Sequence, residues 1–216
     1  MTHSVGEAYD AVAEVYASRF LHELDDDHQS QRWLPLFASA ATVQRQPVLD
    51  LGCGPGSTAN HLRALGIAAV GIDISVGQLV QARHAYPELA FAIGDLTDLP
   101  VADESVGGIV ARHSIIHLPP TELQTTFEAW GRALAINAPV FISFFGSRSA
   151  DAHGSPFDHK VTTAYELFPA RVGELLGVAG FGDLEIEAAP IASGGRPFDH
   201  STIVARKDGR AKQLSL

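Results

Sequence analysis

The sequence predicts an α/β protein built on a doubly wound, mostly parallel sheet, and two observations carry that expectation. Between residues 47 and 146, short apolar runs alternate with stretches of helical period, and one more helix and two strand patterns follow. Within that series, Val48-Leu49-Asp50-Leu51 runs into Gly52-Cys53-Gly54-Pro55-Gly56 and then Thr58-Ala59-Asn60-His61-Leu62. That is a buried strand, a tight turn and a helix start in about a dozen residues. Glycines at 52, 54 and 56 let the backbone take positive φ and approach a ligand that a Cβ would hold off. The N–H groups of the turn and of the helix start then face that ligand.

Composition bounds the function. A chain of 216 residues suffices for one domain with a full core. No apolar run approaches the roughly 18 residues needed to span a bilayer, and Met1-Thr2-His3-Ser4-Val5-Gly6-Glu7 lacks the basic start and apolar centre of a signal peptide. One cysteine excludes an intrachain disulfide and fits a reducing cytoplasm. A net charge of −10 without a basic cluster argues against a nucleic-acid partner, which needs grouped Lys and Arg for its phosphates. A small-molecule partner is expected.

The elements follow in order. Residues 5 to 20 place Ala8, Val12, Val15, Tyr16 and Phe20 at helical spacing. Asp25-Asp26-Asp27 reads as a solvated helix start, and Trp33-Leu34-x-Leu36-Phe37 as the apolar face of a helix reaching about Thr42. After the glycine turn, a helix closes at Gly66. Ile67 to Asp73 is a second buried strand ending in an acid, with Ser75 placed to cap the helix from Val76 to Tyr86. Pro87 stops that helix. Ala90-Phe91-Ala92-Ile93 is a third strand, leading to Gly94-Asp95-Leu96. Ser105 to His113 forms the fourth, followed by Ser114-Ile115-Ile116-His117, and ligands sit outside the carboxyl ends of such strands. A helix over 121–135 buries Leu123, Phe127, Trp130 and Leu134. Pro139 to Gly146 is the fifth strand, Ser147 to Thr162 a long loop, Ala164 to Ala179 the last helix, and Leu184–Ala188 and Thr202–Arg206 the final strands. The polar tail from Lys207 to Leu216 is expected to be mobile.

Asp50-Leu51-Gly52-Cys53-Gly54-Pro55-Gly56 resembles motif I of the class I, Rossmann-like S-adenosylmethionine-dependent methyltransferases, small-molecule type. A nicotinamide fingerprint would set its third glycine one residue later and needs no acid before the first. The Tyr9-Asp10-x-x-Ala13-x-x-Tyr16 pattern, the Gly94-Asp95 segment and the Gly180-Phe181 ending are similar to the same family, so the resemblance covers about residues 5 to 206. It implies a seven-stranded sheet of order 3-2-1-4-5-7-6 with the last strand antiparallel. It also implies one domain, with a helical cap over residues 1–43, a core over 44–206 and the tail beyond.

The resemblance further implies S-adenosyl-L-methionine as cofactor, with S-adenosyl-L-homocysteine as product. Asp50 would lie near the methionine ammonium, and Gly52, Cys53 and Gly54 would admit the amino-acid and ribose portions. Asp73, with Ile74, would hold the ribose, a role that the dinucleotide-fold rule also gives to an acid at this strand end. Asp95 and the Leu96 N–H would meet adenine. Arg112 would line the cofactor from the end of the fourth strand, and Tyr16, with Tyr9 behind it, would cover the methionine end unless both tyrosines only pack the cap. His113 and His117 are the candidates for acid–base work, because imidazole titrates near neutral pH. For His117 a structural histidine is the better reading, whereas for His113 the two readings balance. No third local ligand accompanies them, so no metal site is expected.

The expected reaction is SN2 transfer of a sulfonium methyl to O, N or C of a small acceptor. A cofactor-binding module or rearrangement catalyst, and an NAD(P)-dependent oxidoreductase, are the alternatives. The word Pro-Phe-Asp-His occurs at 156–159 and again at 197–200. Coincidence is the stronger reading of a four-residue word; the other is a pair of loops flanking the acceptor pocket, in which an Asp beside a His orients an imidazole base or helps hold a lid.

Overall fold

Val48–Leu51 (β1) is buried at every position and sits at the middle of the molecule. The computed structural model describes residues 2–22, 24, 27–190 and 198–209. β1 pairs in parallel with Ala69–Asp73 (β2) on one side and Gly108–Arg112 (β4) on the other, and Ala90–Ile93 (β3) extends the sheet beyond β2. Pro139–Ser147 (β5) continues it in parallel from β4. Phe198–Lys207 (β9) runs antiparallel to β5, and Phe181–Pro190 (β8) closes the far edge. The seven-stranded order is β3-β2-β1-β4-β5-β9-β8. It matches the implied order once the separate hairpin of Pro156–Asp158 (β6) and Thr163–Tyr165 (β7) is set aside.

Burial explains the patterning. Strands covered on both faces read as unbroken apolar runs, whereas the edge strand β8 alternates. Leu49, Leu51, Ile109, Ala111, Val140 and Ile142 face one core layer, formed with Leu123–Ala133 (α6) and Pro169–Val178 (α7). Val48, Val110 and Phe141 point to the opposite layer, under His28–Thr42 (α3) and Ser57–Ala64 (α4). Trp130 is fully buried on α6, and its Nε1 donates to the Leu96 carbonyl at 2.7 Å, which satisfies the indole and fixes the turn after β3.

Several expectations change. The N-terminal helix divides into Thr2–Asp10 (α1) and Ala13–Phe20 (α2). Asp10 turns away to serve the helix Val76–Ala85 (α5), accepting from the Ser75 hydroxyl at 2.6 Å and the Gly77 N–H at 2.7 Å. On α3, Trp33, Leu34 and Phe37 are buried, but Leu36 is 57% exposed. The loop expected from Ser147 folds partly as the β6–β7 hairpin. Of the three acids at 25–27, the first two lie outside the described residues, and Asp27 caps α3 from a buried position rather than a solvated one. The tail from residue 210 also lies outside them. Among the described residues, no helix is long and apolar enough to cross a membrane.

Candidate functional site

The carboxyl ends of β1, β2 and β4 meet at the glycine turn, under α1 and α2. Gly52 and Gly54 both take positive φ, 72° and 52°. A Cβ on Gly52 would stand 2.4 Å from the Ser114 Cβ. On Gly54 it would enter the gap between Tyr16 and Gln78, each 3.9 Å away. The Gly54 N–H donates to Asp73 Oδ2 at 2.8 Å, and the Ser75 N–H donates to Asp73 Oδ1 at 2.8 Å. One carboxylate therefore sets both the turn and the start of α5. The Ile74 N–H serves the same carboxylate, so of its roughly four acceptor directions about one remains for a ligand.

A cleft of about 730 Å³, open on one side, lies over this turn. Tyr16, Gly52, Gly54, Asp73, Ile74, Asp95, Leu96, Arg112, His113 and His117 line it, so most of the residues singled out in the sequence are brought together there. Asp95 uses Oδ1 to hold Thr97 through its N–H (2.9 Å) and hydroxyl (2.7 Å).

Asp50 and Cys53 do not line the cleft: both are buried beneath its floor. The Asp50 carboxyl accepts from the Ala59 N–H at the start of α4, and its Oδ2 is buried with no hydrogen-bond partner among the described residues. Arg112 reaches the cleft wall, but its guanidinium is engaged elsewhere. It donates to Asp27 at 2.7 Å, to the Ser30 hydroxyl at 3.0 Å and to Thr58 at 3.4 Å.

Among the lining residues that the sequence reading missed are two polar ones, Gln78 and Ser114. Both are buried, and among the described residues neither the Gln78 amide atoms nor the Ser114 hydroxyl has a hydrogen-bond partner. Leaving such groups unpaired costs about 1–3 kcal/mol each, which a polar ligand in the cleft would relieve. The available signal was a glutamine on the inner face of α5, beside Leu79 and Ala82.

Burial pushes the Asp50 carboxyl up to about 7, against the pull of Arg112 and the Ala59 bond. Its folded-state pKa exceeds the unfolded value of 3.8, so its contribution to stability is full below about pH 4 and is lost as pH rises through about 7. Asp50→Asn keeps an acceptor for Ala59 and carries no charge. It is expected to raise stability at pH 8 by on the order of a few kcal/mol and to flatten the loss between pH 5 and pH 8. Urea midpoints across that range check this, and a variant weaker than wild type at pH 8 contradicts it.

The histidines divide. Nδ1 of His117 lies 3.0 Å from the Thr163 carbonyl, which can only accept, so that nitrogen carries the proton. Its Nε2 then accepts from the Tyr9 hydroxyl at 2.9 Å. With both nitrogens engaged, His117 joins α1, the segment after β4 and the hairpin, which is a structural role. Burial lowers its pKa and raises that of Tyr9, favouring this neutral pair. His113 sits in the left-handed region, φ 51°, immediately after β4. Its N–H donates to the Ser143 carbonyl at 2.8 Å, and its Nε2 lies 3.1 Å from Nε2 of His200.

The repeated word is not a matched pair of Asp–His units, which leaves the coincidence reading standing. Pro197 lies outside the described residues, but Phe157 and Phe198 pack at 4.7 Å between ring centroids. Asp199 does not orient His200, whose Nδ1 faces Asp27. Asp158 accepts from the Lys160 N–H, and Asp199 pairs with Arg148 at 2.6 Å. Among the described residues, no group of three or more His, Cys, Asp or Glu could hold a metal ion.

Residues 48–137 match the family model described as a methyltransferase domain. The chain is 32% identical over 106 residues to a demethylmenaquinone methyltransferase of Paenarthrobacter aurescens, covering 49% of this chain and 38% of that protein. It is 40% identical over 70 residues to a malonyl-(acyl-carrier protein) O-methyltransferase of Erwinia billingiae, covering 32% and 28%. The chain thus spans well under two thirds of either relative. In fold it is similar to the 4+2 cyclase SpnF, with a TM-score of 0.74 and 18% identity over 96% of this chain and 97% of that one.

Proposed function

We propose that the chain is a class I, Rossmann-like S-adenosylmethionine-dependent methyltransferase that binds S-adenosylmethionine in this cleft and methylates O, N or C of a small acceptor. The observation that carries the reading is the set of buried, unpartnered Gln78 and Ser114 polar atoms beside a glycine turn and two strand-end acids. The cleft fits the cofactor's polarity. Asp73 would accept from ribose hydroxyls, and Asp95, with the Leu96 N–H, would meet adenine. Gln78 and Ser114 would take the polar end of the methionine portion, and Gly54 leaves the space a Cβ would fill.

When bound, the cofactor supplies an electrophilic sulfonium methyl. The protein's part is to hold acceptor and methyl in line, which removes much of the entropic barrier to a bimolecular step. Tyr9 and Tyr16 close the cleft from the cap and limit water at the reacting end. Their rings pack edge to face at 5.4 Å, and Tyr9 is held by His117.

Incubation with methyl-labelled S-adenosylmethionine and a panel of small hydroxyl, amine and activated-carbon acceptors tests this. Transfer of label to one acceptor class, with release of S-adenosylhomocysteine, is the expected result. Cofactor binding without transfer to any class would favour a binding or rearrangement role, and absence of binding would remove the reading.

A further inference from the structure

Asp73, Asp95, Gln78 and Ser114 supply the polar lining that the cofactor would use, and four rings remain on the cleft wall: Tyr9, Tyr16, His113 and His117. Each of them touches a further ring. Tyr16 and Phe20 stand one helical turn apart on α2, with ring centroids 4.4 Å apart. Tyr9, near the end of α1, lies 5.4 Å from Tyr16 and 5.4 Å from His117, and so joins the cap to the segment after β4. The residue after β6, His159, meets the His117 ring edge to face at 5.3 Å. From the end of β5, Phe145 lies 5.9 Å from His159 and 4.7 Å from His113. The rings form one continuous wall from the cap to the sheet.

This wall differs from the core. Phe127, Trp130, Phe141 and Phe144, which pack between the sheet and its helices, are fully buried. Tyr9, Tyr16, Phe20, His117, Phe145 and His159 are only half-buried, so each keeps part of its ring open. Open ring faces and edges favour a further ring over a saturated group of similar size, because the negative face of one ring attracts the positive edge of another.

Charge narrows the choice. Among the described residues, the cation that lines the cleft is Arg112, and its guanidinium is held by Asp27, Ser30 and Thr58. Burial lowers the pKa of both His113 and His117, which keeps their rings neutral near pH 7. Just past β5, Arg148 is paired with Asp199 at 2.6 Å. An anionic acceptor would lose its hydration here without gaining a partner. A cationic acceptor would be repelled by the sulfonium of the bound cofactor.

We propose that the acceptor is a neutral, flat aromatic compound, and that Tyr9, Tyr16, His113 and His117 are the residues that select it. This rests on the methyltransferase reading above and names the acceptor class for that site. The rings act by shape and ring-to-ring attraction, so the selection falls on the acceptor's skeleton.

Calorimetric titration of the full chain with S-adenosylhomocysteine comes first and reads the cofactor proposal by itself. Three probes are then titrated into the saturated protein: 2-naphthol, its saturated analogue decahydro-2-naphthol, and 2-naphthoate. Apolar transfer alone favours the saturated alcohol, which carries more apolar surface, so a preference for 2-naphthol isolates the rings. The expected result is saturable binding of 2-naphthol at one site per chain, about 10-fold tighter than decahydro-2-naphthol. Binding of 2-naphthoate is expected to be weaker than that of 2-naphthol by about 10-fold or more.

Tyr16→Leu keeps a good helix former and an apolar side chain on α2 but removes the ring. It should cut the preference for 2-naphthol over the saturated alcohol to about 3-fold. The ratio is taken at saturating S-adenosylhomocysteine, so a weaker hold on the cofactor does not enter it. Equal or tighter binding of the saturated alcohol or of the carboxylate, absence of 2-naphthol binding, or a ratio unchanged in Tyr16→Leu would overturn the proposal. Failure of S-adenosylhomocysteine to bind would overturn the cofactor reading instead, and the same probes on the unliganded protein then decide the ring preference.

Discussion

Asp27→Ala is expected to lower the unfolding free energy by about 3–5 kcal/mol, the usual cost of removing one partner of a buried ion pair. The pair is dry on both sides, with the Arg112 and Asp27 side chains 7% and 6% exposed. Loss of the carboxylate leaves a buried guanidinium whose remaining hydrogen bonds, among the described residues, go to the Ser30 and Thr58 hydroxyls. It also removes the cap of α3, where the Ser30 N–H donates to Asp27 at 3.1 Å. Burial alone would raise the Asp27 pKa, but Arg112, the Ser30 bonds and His200 together hold it down to about 2. A depressed pKa contributes stability that is present above about pH 4 and lost as pH falls through about 2. Denaturant titrations of wild type and variant should therefore converge toward acid, and a loss below about 1 kcal/mol near neutrality would assign Asp27 an ordinary surface role.

Asp73→Ala carries the second large effect, an expected loss of about 100-fold in affinity for S-adenosylmethionine. Hydrogen bonds to a charged acceptor contribute roughly 1.5–3 kcal/mol each, and about 1.4 kcal/mol corresponds to a factor of ten. The same carboxylate fixes the Gly54 and Ser75 N–H groups, so its removal also loosens the turn. Asp95→Ala should cost less, because Asp95 holds only its own turn, through Thr97, and not the glycine turn that Asp73 fixes. Calorimetric titration of the three proteins checks the order, and equal affinities for Asp73→Ala and wild type would remove Asp73 from the binding role.

What could be read from residues alone follows from the range of the interactions. The glycine turn, the strand-end acids Asp73 and Asp95, and the Ser75 cap are local patterns whose geometry is set within a few residues. The sheet centre was legible because strands covered on both faces must be apolar throughout. Asp50 was read as a contact because it stands beside the turn in sequence, yet strand alternation and the start of α4 place it under the floor. Arg112 was read as facing the cofactor, but its charge is taken by Asp27, 85 residues away. His200 meets His113 across 87 residues, and the register that joins them is set by β9 inserting between β5 and β8. No spacing rule announces such a pairing. Gln78 and Ser114 were missed for a related reason: an uncharged polar residue becomes conspicuous only when it is buried without a partner.

The central claim is that the turn at 52–56, together with Asp73 and Asp95, forms a site for S-adenosylmethionine. Calorimetric titration of the full chain with S-adenosylmethionine, and separately with NADH, tests it most directly. The expected result is saturable binding of S-adenosylmethionine at one site per chain and no heat from NADH. Saturable binding of NADH without binding of S-adenosylmethionine would contradict the claim.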